Sequence, residues 1–275
     1  MGRSHDGSGA EEAIRRALKM GFKVNIEFIF GYPGQTLDTW VQTMQRAMAL
    51  GVQEIQVYRL EVTPYRSRKE QLRGVNALSP EDFPPVEETI GMLAAATTLF
   101  GEAGYRENRR RFFTRSTEDF SHYQDSWTGS LLPQIGFGQT ALSNLPDRVA
   151  QNHADLAAYS EAIRAGRPPV MRGLIRDEET QLRWAFCMPL RHHRARSDVF
   201  ERATGRSLRD VFRSKVDILI DEGLIEPWDE GLQLTAMGSF WVNQVIQQFH
   251  HPDHLVFPRD VYAEGPLNPY VNNQI

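Results

Sequence analysis

Residues 25–36 read NIEFIFGYPGQT. Val24, Ile26, Phe28, Ile29 and Phe30 form an apolar run on both faces, the pattern of a parallel strand buried between two layers. Gly31, Pro33 and Gly34 then turn the chain. Thr36 is placed to cap a helix in which Leu37, Trp40, Val41, Met44, Ala47 and Met48 recur at the spacing of one helical face, and Gly51 closes it. A second strand follows at 54–60 (EIQVYRL). Strand, loop, helix and strand in that order predict a right-handed βαβ unit. Its Gly-Tyr-Pro-Gly loop sits at the carboxyl end of the first strand, where α/β barrels place their active sites.

Composition narrows the class. A chain of 275 residues can bury the core of one or two domains. Its net charge of -4 argues against a nucleic-acid binder, whose contact face is strongly basic. Cys187, the only cysteine, excludes an intrachain disulfide framework and fits a reducing compartment. No apolar run approaches the ~20 residues of a membrane span, and MGRSHDGSGA lacks the apolar segment of a signal peptide. The expected location is the cytoplasm, with no membrane partner.

Residues 11–20 (EEAIRRALKM) have the period of an amphipathic helix, with acids in the first turn and Lys19 in the last. Ser79 and Pro80 open a helical segment that restarts after Pro84-Pro85, runs over 86–100 and stops at Gly104. Residues 105–115 (YRENRRRFFTR) and 134–144 read as extended segments that close or extend the open edge of the sheet. After Asn144 the pattern turns helical, at 154–165, 177–186 and 208–221, followed by a hairpin at Asp229-Glu230-Gly231 and a last helix over 237–249. Helices followed by a small wing predict a winged-helix-like domain beyond a break near Arg167-Pro168-Pro169. The expected division is a sheet-bearing part, 1–150, and a helical part, 151–275.

Three ordered stretches carry a resemblance. The 25–36 segment resembles the fifth strand of radical S-adenosylmethionine enzymes of the oxygen-independent coproporphyrinogen III oxidase group. Residues 134–143 (QIGFGQTALS) are similar to that group's Gly-x-Gly-x-x-Ala-x-Ser strand, and 221–249 to its closing GLI…L-x-LT-x-x-G domain. The resemblance implies an α/β fold made of the C-terminal strands and helices of a partial (β/α)6 TIM-type barrel plus the winged-helix-like domain. It implies S-adenosylmethionine as cofactor and a tetrapyrrole substrate. The last helix (GSFWVNQVIQQF) is closer to the anaerobic haem-degradation, methyltransferase-like branch.

The family holds a 4Fe-4S cluster through Cys-x-x-x-Cys-x-x-Cys after the first barrel strand, three thiolates leaving one iron open to the cofactor. A single cysteine cannot supply that set, so the intact protein, not this chain, is expected to bind the cluster. The expectation is a C-terminal part whose partner is a missing N-terminal barrel half or a complementing chain, inactive alone.

The resemblance also implies roles for particular residues. Glu27 matches an Asp that touches a second S-adenosylmethionine, although Glu is one methylene longer; its alternative is an ion pair across the barrel. Glu61 falls at the rim that meets the cofactor, or is a solvated loop residue. Arg3 matches an Arg that binds a cofactor carboxylate, for which a guanidinium fork is suited. Leu142 matches a position whose main chain holds adenine, and Gly136 and Gly138 let a ligand approach the backbone or serve close packing of a sheet edge. If 105–115 is one strand, Arg109, Arg111, Phe113 and Arg115 share a face that could bind propionates and a macrocycle, or face solvent or RNA.

His250, His251 and His254, and the pair His192-His193, lack the i, i+4 arrangement with an acid that a zinc site favours, and read as surface residues with no metal. Two other functions stay open. One is a cluster-free tetrapyrrole-binding module. The other is a winged-helix nucleic-acid binder, opposed by Asp217, Asp221, Glu222, Glu226, Asp229 and Glu230.

Overall fold

β1 (Asn25–Phe30) alternates along its length: Asn25, Glu27 and Ile29 are exposed, Ile26 and Phe28 partly covered, and Phe30 buried. The computed structural model describes residues 6–60, 82–119 and 125–275, and among these the helices cover one face of the strand only. The expectation of a strand buried on both faces is therefore corrected. Its polar positions are Asn25 and Glu27, and the second face is left for something other than core.

α2 (Leu37–Ala49) starts at a reciprocal cap, in which the Thr36 hydroxyl accepts from the Thr39 N–H and the Thr39 hydroxyl accepts from the Thr36 N–H. Its buried stripe is Trp40, Met44 and Ala47. Trp40 occupies the centre of this core. Its Nε1 donates to the Met92 carbonyl of α3 (Val86–Glu102) at 2.7 Å, and its ring meets Phe28 edge-on at 6.4 Å and Phe30 at 5.6 Å. α1 (Gly7–Lys19), capped by the Asp6 carboxylate, adds Ile14 and Leu18 to the same cluster.

β2 (Glu54–Arg59) lies parallel to β1, with Asn25 opposite Glu54 and Phe30 opposite Arg59. Its other neighbour is β4 (Phe112–Thr114), antiparallel, which pairs in turn with β3 (Arg106–Arg109), so the sheet order is β1-β2-β4-β3. Residues 105–115 are thus a tight hairpin rather than one extended segment. The chain reverses at Arg111, whose φ of 68° is stabilised by the Glu107 carboxylate accepting its backbone N–H.

The chain divides into two units, residues 1–120 and 121–275. The break precedes 134–144, so these residues do not extend the first sheet. They contribute to a separate antiparallel sheet, β5 (Leu142–Leu145), β6 (Arg148–Asn152) and β7 (Val170–Ile175). Arg176 explains why: its guanidinium donates to Asn144 Oδ1 at 3.1 Å, to the Leu145 carbonyl at 2.5 Å and to Gln181 Oε1 at 2.7 Å, tying this sheet to the helix that follows.

The remaining elements are α4 (Leu156–Arg164), α5 (Glu178–Arg191), β8 (Arg194–Arg196), α6 (Ser197–Thr204), α7 (Arg213–Asp221), β9 (Ile225–Trp228), β10 (Gly231–Leu234), α8 (Ala236–Phe240) and α9 (Val242–Gln247). β8, β10 and β9 form a three-stranded sheet in that order. The core is aromatic: Phe186 lies 4.5 Å from Phe249 and 5.2 Å from Phe212 between ring centroids. Three expected helices differ in extent. The one at 177–186 runs on to Arg191, the one at 208–221 begins only at Arg213 because Phe212 takes a left-handed φ of 54°, and the last is broken at Trp241. Among the described residues no helix is long and apolar enough to cross a membrane.

Lys215 in α7 has no exposed surface, and its ammonium donates to Gln248 Oε1 and to the carbonyls of Pro266 and Asn268, fastening the C-terminal segment. Burial away from water pushes this lysine down to about 8. The unfolded chain keeps the proton up to the ordinary value of 10.5, so across this interval the unfolded state binds more protons and stability rises with pH. Relative to Lys215→Met, the wild type should gain up to about 3 kcal/mol over that interval. Urea midpoints of both proteins below and above it read the gain; an unchanged difference contradicts it.

Candidate functional site

In the first unit the face of the sheet away from the helices is polar, because β2 alternates. Ile55 and Val57 enter the core, while Glu54, Gln56 and Tyr58 line the other face beside Asn25, Glu27 and Ile29 of β1. The side chains form a directional ladder. The Tyr58 hydroxyl donates to Gln56 Oε1, Gln56 Nε2 donates to Glu54 Oε1 at 2.8 Å, and Asn25 Nδ2 donates to the same carboxylate oxygen. Glu54 is buried, and its Oε2 has no hydrogen-bond partner among the described residues.

Burial first, and then the negative charge of Glu27, pushes the Tyr58 phenol up to about 12, so it stays neutral and keeps its proton for Gln56. The loop after β1 winds about one side chain: Gln35 Oε1 accepts from the Gly31 N–H at 2.7 Å and the Tyr32 N–H at 3.3 Å. Gly31 and Gly34 both have φ near 75–78°, which a side chain would strain. Together these features set an exposed carboxylate and a neutral phenol on one wall below a rigid loop.

The basic residues are not arranged as a strand would place them. Arg109 and Arg111 are buried on either side of the hairpin reversal, and the Arg111 guanidinium lies over the Phe30 ring at 5.6 Å. Phe113 is 2 % exposed and packs on Phe100 at 4.8 Å, so it belongs to the core and offers no face to a macrocycle. Arg115 is exposed and covers Tyr105 at 4.8 Å. The expected common face of Arg109, Arg111, Phe113 and Arg115 is corrected for the same reason as the extended segment.

Gly136, Gly138 and Leu142 lie in the second unit. A Cβ at Gly136 would stand 2.5 Å from the Leu142 carbonyl oxygen, so the close approach that demands glycine here is the chain's own. Gly138, at φ 102°, donates its N–H to the Tyr159 hydroxyl, and Asn152 Nδ2 donates to the carbonyls of Gly136 and Gly138. This pinned loop presents Phe137, 89 % exposed, and the strand start at Leu142, 46 % exposed. Arg3 and Glu61 lie outside the described residues.

Sequence reasoning missed Glu54, Gln56 and Tyr58 as a set. The period-two alternation of EIQVYRL, polar at 54, 56 and 58, was the signal that could have revealed them.

The cluster does not fit this chain. Cys187, on α5, has its thiol pushed up to about 12 by burial, with its Sγ 4.0 Å from the Ile246 carbonyl, so it is a protonated packing group rather than a thiolate. Among the described residues no group of three or more His, Cys, Asp or Glu side chains could hold a metal ion.

No family model matches the chain. It is 24% identical over 240 residues to the oxygen-independent coproporphyrinogen III oxidase of Pseudomonas aeruginosa, covering 82% of this chain and 51% of that protein. The identity to the corresponding Synechocystis oxidase is also 24%, over 245 residues, with 82% and 51% covered. To the heme chaperone HemW of Bacillus subtilis it is 24% over 251 residues, covering 90% and 65%. The fold is that of the solved coproporphyrinogen III oxidase HemN of Escherichia coli, a radical SAM enzyme, with a TM-score of 0.69 at 19% identity over 89% of this chain and 58% of that one. The chain thus spans about half the length of the curated oxidases it matches.

Proposed function

We propose that the chain forms one wall of a radical S-adenosylmethionine chamber that acts on a tetrapyrrole, as a partial (β/α)6 barrel in the first unit followed by a winged-helix-like arrangement in the second. The observation that carries this reading is the polar face of β1 and β2, where Glu27 stands in front of the neutral Tyr58 below the loop at Gly31–Gly34. An exposed carboxylate beside a neutral phenol suits a sulfonium cation, which Coulomb attraction favours and which the thioether S-adenosylhomocysteine lacks while keeping its ammonium group. Glu27 would hold that charge on a second S-adenosylmethionine. In the second unit, taken by itself, the backbone at Leu142, with Gly136 and Gly138, is proposed for the adenine of the first, as the resemblance implies. Beyond the described residues, Arg3 and Glu61 would serve carboxylate recognition and the rim.

When bound, S-adenosylmethionine would supply a carbon radical or a methyl group. The cluster that starts this chemistry would sit on a cysteine-bearing half, in the same polypeptide or another, because the single, protonated Cys187 cannot hold it. Alone, the chain would bind and orient without turnover. Decarboxylation and methyl transfer are both compatible with this face. A cluster-free tetrapyrrole-binding module is the second reading, favoured by the same lone cysteine and by the likeness to a heme chaperone. Acids on α7 and the β9–β10 hairpin, Asp217, Asp221, Glu226 and Asp229 among them, oppose a phosphate backbone.

Calorimetric titration tests the role of Glu27. Glu27→Gln should weaken S-adenosylmethionine binding about tenfold, or about 1.4 kcal/mol. The same substitution should leave S-adenosylhomocysteine, which has no sulfonium charge, unaffected. No loss for either ligand would remove Glu27 from the site, and equal losses would overturn its assignment to the sulfonium.

A further inference from the structure

The second unit contains a cleft of about 350 Å³ between α7, the turn at 208–211 and the β9–β10 hairpin. That size suits a small molecule. Part of the lining is apolar, with the buried Val211, the partly buried Leu232 and the indole of Trp228. The Arg194 guanidinium lies over that indole at 4.8 Å and steadies it. Three exposed charged side chains complete the lining: Arg209, Arg213 and Asp217. We propose that this cleft binds an α-amino acid with a bulky apolar side chain. The guanidiniums of Arg209 and Arg213 take its carboxylate, Asp217 takes its ammonium group, and the side chain lies against Trp228 and Leu232. This site stands independently of the cofactor wall in the first unit.

Charge of both signs in one cleft points to a zwitterion. Arg213 and Asp217 are one turn apart on α7, a spacing that sets their Cβ atoms about 5–6 Å apart on one helix face. They do not neutralise each other, since among the described residues no carboxylate lies within 4.0 Å of the Arg209 or Arg213 guanidinium. Arg196, Arg202 and Arg206, earlier in the same unit, each have a carboxylate that near, at 2.9, 3.9 and 3.5 Å. A simple anion in the cleft would be repelled by Asp217, and a simple cation by the two arginines. An amino acid carries both charges on one carbon and meets a partner for each: a planar guanidinium fork for the carboxylate, a carboxylate for the ammonium. The indole and leucine beside them favour an apolar side chain, because a polar one would lose its water without gaining a partner.

Calorimetric titration of the full chain tests this with three probes of the same shape: L-phenylalanine, 3-phenylpropionate, which lacks the ammonium group, and 2-phenylethylamine, which lacks the carboxylate. The wild type should bind L-phenylalanine at least about tenfold tighter than either analogue. Asp217→Asn should abolish the advantage over 3-phenylpropionate and keep the advantage over 2-phenylethylamine. Arg209→Ala/Arg213→Ala should do the reverse. All three side chains are exposed, so the variants should fold as the wild type does, which circular dichroism checks. No binding of L-phenylalanine to the wild type, or equal binding of the three probes, would overturn the site. Equal weakening of all three probes in a variant would overturn the role given to the substituted side chain.

Discussion

Trp40→Ala should cost the first unit at least about 4 kcal/mol, the upper part of the range for truncating a fully buried aromatic. Two effects add. The cavity would open where Phe28, Phe30, Met44 and Met92 converge, and the Met92 carbonyl, inside α3, would lose the indole N–H that it accepts at 2.7 Å beside its helical bond. Trp40→Phe keeps most of the volume and loses only the hydrogen bond, so it should cost about 1–2 kcal/mol. Urea denaturation followed by far-ultraviolet circular dichroism reads both values. The same substitution bears on the proposed site, since Phe28 and Phe30 fix the strand whose opposite face carries Glu27. A loss below about 2 kcal/mol for Trp40→Ala would mean that this cluster does not hold β1 in place.

Gly238→Ala should have a comparable effect on the second unit. A Cβ at this position would stand 1.8 Å from the Leu224 carbonyl oxygen, and the obstacle is backbone, which cannot rotate away. That carbonyl also accepts the Thr235 N–H at 3.2 Å, while the Thr235 hydroxyl caps α8 by accepting the Gly238 N–H at 3.0 Å and donates to the Gly223 carbonyl at 2.7 Å. Relieving the clash would break this junction between β10 and α8. Overpacking costs about 1–3 kcal/mol and more where the backbone must move, so the melting temperature should fall by roughly 6–12 °C. Gly223→Ala is the control: its Cβ meets open space and only its φ of 67° opposes it. Equal shifts for the two variants would show that the Leu224 contact does not decide the effect.

The first unit was legible where local signals agree. The strand at 25–30, the Thr36 cap, the Trp40 stripe and the parallel partner at 54–59 all emerge from period, cap and turn residues, and the structure places them within a residue or two. The hairpin at 106–114 was not legible, since its turn is Arg110-Arg111 with no Gly, Asn or Pro, and a side chain from Glu107 stabilises the left-handed residue. Strand β7 was hidden because it follows Pro168-Pro169, which read as a break, and because it lies at a sheet edge with all six residues exposed. α6 starts at Arg196 without a side-chain cap. Of the candidate site, Glu27 was named from a motif. The ladder behind it required knowing which face of β2 the helices leave uncovered.

Hydrogen–deuterium exchange with and without saturating S-adenosylmethionine tests the central claim most directly. If the polar face of β1 and β2 is a cofactor wall, amides within 25–36 and 54–60 gain protection, and S-adenosylhomocysteine gives less. Unchanged exchange across both segments, or protection confined to other parts of the chain, would contradict it.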